Sequence, residues 1–290
     1  MHPAPSVILF TVFSGIGFGM LVFLGLGMPN VSGWTAFIFY AIAYIMAVGG
    51  LLSSTFHLGH PERFLKAFTQ WRTSWLSREG ILSVATLITM ALFAASQVFM
   101  SNTIAPLGWL GALLSLGTVY GTSMIYAQLK TVPRWNQPTT PALFLILSLA
   151  GGSLMTGNVT IALILLLLAG ALQAFVWFTG DSRFQDAGHT METATGLGPI
   201  GKVRQFESPH TGTNYLLKEM VHVVGRKHAQ KLRILSLLLM VLIPVVLLLL
   251  PFTHIFGAFA VLSHIAGVIC ARWLFFAEAE HVVGLYYGAR

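Results

Sequence analysis

The sequence has 290 residues, of which 56% are hydrophobic and only 9% charged. Soluble domains carry roughly a quarter of their residues charged, so this chain cannot cover a water-exposed surface and is not a soluble enzyme. The net charge of +7 would suit a nucleic acid, but the basic residues lie in loops between apolar runs, and no nucleic-acid partner is expected.

Apolar runs of about 20 residues recur along the chain, each long enough to cross a hydrocarbon core of roughly 30 Å as a helix. Their apolar character is continuous rather than alternating, which excludes barrel strands. The fold class expected is an all-α integral membrane protein: a single membrane domain over residues 1–290, with eight transmembrane helices. The first run, residues 7–28, has no Lys or Arg before it, unlike a secretory leader, and reads as a retained helix. The second spans 33–56.

Between spans two and three the chain is Phe56-His57-Leu58-Gly59-His60-Pro61-Glu62-Arg63, followed by Gln70-Trp71-Arg72 and Ser74-Trp75-Leu76-Ser77-Arg78-Glu79. Phe64, Phe68, Trp71 and Trp75 recur at helical spacing from Pro61 to Leu76. This predicts a short amphipathic interfacial helix with its tryptophans at headgroup level. His57 falls at the membrane boundary, where a neutral imidazole can hydrogen-bond a quinone carbonyl and exchange its proton; the plainer reading is a histidine bonded to helix-end carbonyls. Glu79 opens span three, 80–100, behind a Ser77 cap. It is either a first-turn carboxylate favoured by the helix dipole or a proton relay.

Spans four to seven follow at 105–128, 140–156, 159–180 and 234–252, with a tight turn at Gly157-Asn158 and a kink at Pro244. Small-residue spacings such as Gly15–Gly19 suit close helix packing. Residues 181–233 form a polar loop with little periodicity before a short helix from Tyr215 to His228, and the loop is a docking element rather than a domain. Of the 16 Lys and Arg, all but Arg272 and Arg290 lie in the loops after spans two, four and six. The positive-inside rule makes those loops, and both termini, cytoplasmic. Arg63, Arg72, Arg78, Arg134, Lys202 and Arg204 are candidate contacts for a partner docked there.

The last span, 256–280, carries Arg272, Glu278, Glu280 and His281. Arg272 lies roughly 13 Å inside the last polar residues at the helical rise. An arginine at that depth faces a partner or a polar cavity, or else snorkels. Glu278 and His281 share a helix face and join Glu79 as candidate proton-relay groups. The quinone-binding candidates are His57, Arg272, Trp71 and Trp75. A bis-histidine haem needs two facing imidazoles, and His264 is the one clearly intramembrane histidine. A b-type haem is therefore the weaker reading, left open. The single cysteine, Cys270, precludes an iron–sulfur cluster or a thiolate metal site in this chain, and no metal site is expected.

With these residues in view, the chain resembles the DmsC family, the membrane anchor subunits of molybdenum oxidoreductases such as dimethyl sulfoxide reductase. The likeness rests on Phe56-His57-Leu58-Gly59 with Pro61, Leu76-Ser77-Arg78-Glu79, Thr131-Val132-Pro133-Arg134-Trp135, and Arg272 with the aromatic run after it. Gly196-Leu197-Gly198 through Gly201-Lys202-Val203-Arg204, with His210-Thr211-Gly212 and Asn214-Tyr215-Leu216, is most similar to the branch serving cytoplasmic sulfite dehydrogenase. The resemblance implies a molybdopterin catalytic subunit and a four-cluster iron–sulfur subunit as partners on the cytoplasmic face. It also implies a quinone, ubiquinone or menaquinone, bound in this chain, with the family's quinol-site histidine matching His57 and its neighbouring carboxylate matching Glu79. The expected function is to anchor the complex in the bacterial inner membrane and pass electrons from cytoplasmic sulfite oxidation to the quinone pool. The alternatives are an anchor for a quinol-oxidising dimethyl sulfoxide reductase, a stand-alone cytochrome and, from another class, a secondary transporter or channel.

Overall fold

The computed structural model of the chain describes residues 1–56, 60–100, 103–207, 210, 212–221, 226–251 and 254–288. Among these residues the chain is helical, without strands. The long helices are α1 (Pro5–Gly25), α2 (Gly33–Thr55), α3 (Trp75–Phe99), α4 (Ala105–Ala127), α5 (Thr139–Met155), α6 (Val159–Gly180), α7 (Ala229–Leu249) and α8 (His254–Ala277). Seven of them are long and apolar enough to cross a membrane; α5, with 17 residues, is the short one. Helices are the form in which such apolar runs satisfy their own backbone groups.

Helix α1 is the axle. Of its most apolar stretch 78% is buried inside the protein, against 56% or less for the other spanning helices. It packs on α2, α4, α5 and α8, while α3 lies against α4, and α6 against α5 and α7. Small residues make this possible. A Cβ on Gly19 would fall inside the Ser148 backbone of α5, and one on Gly152 inside the Gly19 backbone, so the two helices touch main chain to main chain. Polar side chains stitch the same contacts: Ser148 Oγ donates to the Gly15 carbonyl at 2.6 Å, and Ser53 Oγ on α2 to the Ser6 carbonyl at 2.9 Å.

Pro244 disturbs α7 as its sequence predicts, but through a π-helical turn, Leu238–Leu242. A proline has no N–H, so the carbonyls it would serve in π or α register, those of Leu239 and Met240, need other donors. Helix α8 supplies both: Ser263 Oγ bonds the Leu239 carbonyl and His264 Nδ1 the Met240 carbonyl, each at 2.8 Å. That geometry puts the His264 proton on Nδ1.

Several boundaries differ from the sequence expectation: α8 ends at Ala277, so Glu278 and His281 lie beyond it and share no helix face, and a difference at α3 matters for chemistry. Helix α3 begins at Trp75, not near residue 80, because Ser74 rather than Ser77 occupies the N-cap position. Glu79 is therefore beyond the first turn. Helix α7 likewise begins at Ala229, five residues before its expected start. The segment Pro61–Phe68 is a 3-10 helix that stops at Phe68, so Trp71 lies in the turn that follows and Trp75 opens α3. The helix expected over Tyr215–His228 shortens to a single π turn, Leu216–Met220, and residues 222–225 lie outside the described ones. At the expected tight turn, Gly157 adopts φ +73° and Asn158 caps α6 by accepting from the Ile161 N–H at 3.3 Å.

Candidate functional site

The polar side chains of interest gather where α3, α4, α5 and α8 approach the end of the bundle that carries the long loops. Glu79 is 3% exposed on α3. Gly121 on α4 lets it sit that deep, since a Cβ there would come within 3.3 Å of Glu79 Cα. Thr122, the next residue, donates its hydroxyl to Glu79 Oε1 at 2.5 Å. A first-turn dipole contact, the plain explanation for this carboxylate, is absent because the first turn of α3 contains no acid.

Arg272 on α8 is also 3% exposed. Its guanidinium carbon lies 3.5 Å from the Phe144 ring centroid and 5.8 Å from that of Phe275, so aromatic faces rather than a carboxylate receive the charge. Among the described residues its buried Nε has no hydrogen-bond partner. Arg272 borders two small cavities. One, about 10 Å³, is lined by Thr11, Ser14, Thr122 and Ser148 together with the arginine. The other, about 20 Å³, reaches Arg134, Gln173 and Glu278.

Tyr126, one turn beyond Thr122, is packed in an aromatic cage. Its ring meets Trp135 at 5.3 Å, Phe275 at 5.4 Å, Phe276 at 5.5 Å and Phe144 at 5.7 Å, mostly edge to face. Trp135 is fixed in turn by its indole N–H, which donates to the Phe275 carbonyl at 2.9 Å. Tyr126, Trp135 and Phe276 line a larger pocket of about 440 Å³, together with His2, Val7 and Met220. That volume lies within the range of small-molecule sites, and its lining is chiefly apolar and aromatic.

Toward the loops the charges form a closed network. Glu278, 5% exposed, accepts from Arg134 at 2.8 Å and from Arg233 at 2.7 Å. Asp181 at the end of α6 accepts from Arg233 at 2.6 Å and from Arg134 at 3.0 Å. The Arg233 hydrogen bond, with Arg134 beside it, holds the Asp181 carboxyl below the usual carboxylate range. Beyond it, Glu280 pairs with Arg226 at 2.5 Å. His281 Nδ1 accepts from the Val283 N–H at 2.9 Å, and burial holds this imidazole below its ordinary value, which favours the neutral ring.

The sequence candidates thus separate. Glu79 and Arg272 come together around Thr122 and the smaller cavity. Glu278 joins Arg134 in the ion network, so Arg134 is committed inside the protein. Arg78 donates to the Trp71 and Arg72 carbonyls at 2.8 and 2.7 Å and stacks on Trp75 at 4.4 Å. Trp71, Arg72, Lys202 and Arg204 are exposed. His57 lies outside the described residues, as does the side chain of Arg63. Thr122, Tyr126, Phe144, Asp181 and Arg233 were not singled out from the sequence. Asp181 and Arg233 carried a usable signal, since they stand at span ends in a chain with only 9 acidic residues.

Comparison with known proteins gives a consistent result. The family model described as the DMSO reductase anchor subunit (DmsC) matches residues 1–288. A sulfite dehydrogenase subunit of Allochromatium vinosum is 30% identical over 327 aligned residues, covering 99% of each chain. No solved structure matches.

Proposed function

The chain belongs to the DMSO reductase anchor subunit (DmsC) family, and from that premise we propose that it anchors a sulfite-oxidising molybdenum complex and carries its quinone site. The observation behind the choice of sulfite is the end-to-end similarity to the Allochromatium vinosum sulfite dehydrogenase subunit. In this reading all eight long helices cross the bacterial inner membrane, α5 included, and the 3-10 helix Pro61–Phe68 lies in the interface. The basic loops and both termini face the cytoplasm. A molybdopterin subunit and a four-cluster iron–sulfur subunit dock on that face, with Lys202, Arg204 and Arg72 among the exposed cations available to them.

The aromatic pocket beside Tyr126 fits a quinone ring in size and lining. Tyr126, Trp135 and Phe276 would hold a quinone ring there, and it would supply a two-electron, two-proton acceptor for the partner's clusters. His57, which lies outside the described residues, is assigned as the hydrogen-bond and proton donor, with Trp71 and Trp75 as further quinone-binding residues at the interface. Arg272 provides positive potential from within the bundle. Glu79 returns protons at its buried carboxyl, with Glu278 and His281 nearer the cytoplasm. Electrons thus run from sulfite to the membrane pool, opposite to the direction in a dimethyl sulfoxide reductase. A channel is disfavoured by the gathering of ionisable groups at one end of the bundle.

Purification from native membranes in mild detergent tests the assignment. Molybdenum and iron are expected to accompany the chain, with sulfite-dependent quinone reduction that His57→Ala abolishes. Absence of both metals would overturn the anchor reading, and full quinone reduction by an assembled His57→Ala complex would overturn the site.

A further inference from the structure

Glu79 on α3 and Arg272 on α8 are ionisable groups of opposite sign, each 3% exposed, and among the described residues neither has an ion-pair partner. Isolated charges at such depth are strongly unfavourable, so each requires compensation. Thr122 belongs to both surroundings. It bonds Glu79 Oε1 and lines the cavity on which Arg272 also borders.

The polarity of that cavity can be deduced from where its hydroxyl protons go. Thr11 donates to the carbonyls of Val7 and Ile8, Ser14 to that of Phe10, and Ser148 to that of Gly15. Thr122 gives its proton to Glu79 or to the Thr118 carbonyl, 3.1 Å away. Each hydroxyl has one proton, so all four present lone pairs to the cavity while Arg272 presents donors. An anion would face four lone pairs, and a cation would face the guanidinium. Water both accepts from Arg272 and donates to the hydroxyls, and about 10 Å³ is room for one molecule.

We infer that Glu79 and Arg272 form one charge pair bridged by Thr122 and a water molecule in this cavity, and that the bridge positions the Glu79 carboxyl for proton transfer. The two acceptors of Thr122 give the bridge two settings. With Glu79 ionised, the Thr122 proton points to the carboxylate. With Glu79 protonated, the acid donates to Thr122 Oγ1, and the hydroxyl proton turns to the Thr118 carbonyl. A proton leaving Glu79 for a quinone oxygen, and its replacement from the cytoplasm, switch the bridge between these settings. Among the described residues the other titratable group beside Glu79 is Tyr126 on α4, which feels both Glu79 and Arg272. On its own helix, Arg78 is turned to the loop carbonyls. Tyr40 and Tyr44 of α2 are bonded to Gln97 and to the Leu87 carbonyl. The use of the bridge in turnover rests on the quinone reading above; its existence does not.

Infrared difference spectra of the purified complex across a pH step read the Glu79 carboxyl directly, with the band assigned by its loss in Glu79→Gln. The expected result is a displaced band in Thr122→Val, restored in Thr122→Ser, and a displaced band in Arg272→Met despite the absence of direct contact. Quinone reduction should fall roughly tenfold in Thr122→Val, the loss of one hydrogen bond. Should the Arg272→Met complex fail to assemble, Arg272→Lys and the Thr122 pair still decide. A Glu79 band unchanged in assembled Thr122→Val and Arg272-substituted complexes would overturn the bridge. Displaced bands with undiminished turnover in Glu79→Gln would leave the bridge standing and remove Glu79 from the quinone reaction.

Discussion

Arg134 reaches Glu278 across 2.8 Å from the loop after α4, and the carboxylate it meets is 4% exposed. Arg233 grips the same side chain from α7, so one acid ties three segments together. Removing it leaves two guanidinium groups with the half-exposed Asp181 as their shared acid. Glu278→Ala is expected to cost about 3–5 kcal/mol, the usual scale for breaking a buried pair. Asp181, half exposed, should cost no more than about 1 kcal/mol as Asp181→Asn. Thermal unfolding in detergent measures both. The Asp181 carboxyl is held below its ordinary value of 3.8, so its contribution is complete above that pH and is lost as pH falls through the folded value. Glu278→Ala protein with wild-type stability would show the network to be incidental.

Pro244 and His264 are predicted to be interdependent. His264→Phe leaves the Met240 carbonyl without its donor and should destabilise by about 1–3 kcal/mol. Pro244→Ala restores a backbone N–H to α7, so the histidine becomes largely dispensable in that background. A double-mutant cycle should therefore be clearly non-additive. The same geometry bears on haem: a Cβ at Gly151 would lie 3.4 Å from His264 Nε2, leaving no room for a porphyrin face. Visible spectra of the purified chain should lack haem absorption, and a haem spectrum lost in His264→Phe would contradict this.

Two glycines one helical turn apart on α1 should respond differently to alanine. A Cβ on Gly15 meets nothing within 4 Å, whereas one on Gly19 meets the Ser148 main chain. Gly15→Ala is expected to be neutral, and Gly19→Ala to cost roughly 1–3 kcal/mol or prevent assembly. Protein yield and midpoint of thermal unfolding distinguish the two.

The long helices were legible because a membrane span is a compositional feature, and the turn at Gly157-Asn158 and the disturbance at Pro244 because proline and glycine constrain backbone directly. The start of α3 was misplaced for a physical reason: Arg78 and Glu79 look like span-ending charges, yet one turns back onto loop carbonyls and the other is sheltered by Thr122. Depth alone marked Arg272 as special. Its surroundings were hidden, because hydroxyls that bond their own helix carbonyls give no sequence signal until neighbouring helices place them around a common cavity. Arg134 read as a surface cation for the same reason, its two acids being distant in sequence.

The central position of α1 has a consequence for biosynthesis. This helix precedes in the chain every helix that it packs against, so its glycine faces enter the bilayer before α2, α4, α5 or α8 exist to cover them. Its own apolarity keeps it in the membrane meanwhile, but its small-residue surface stays bare to lipid until α5 and finally α8 arrive. Translation pauses or insertion delays beyond α4 would thus prolong a stage in which the axle is present and half its bearings are missing, and misassembly is expected to concentrate there.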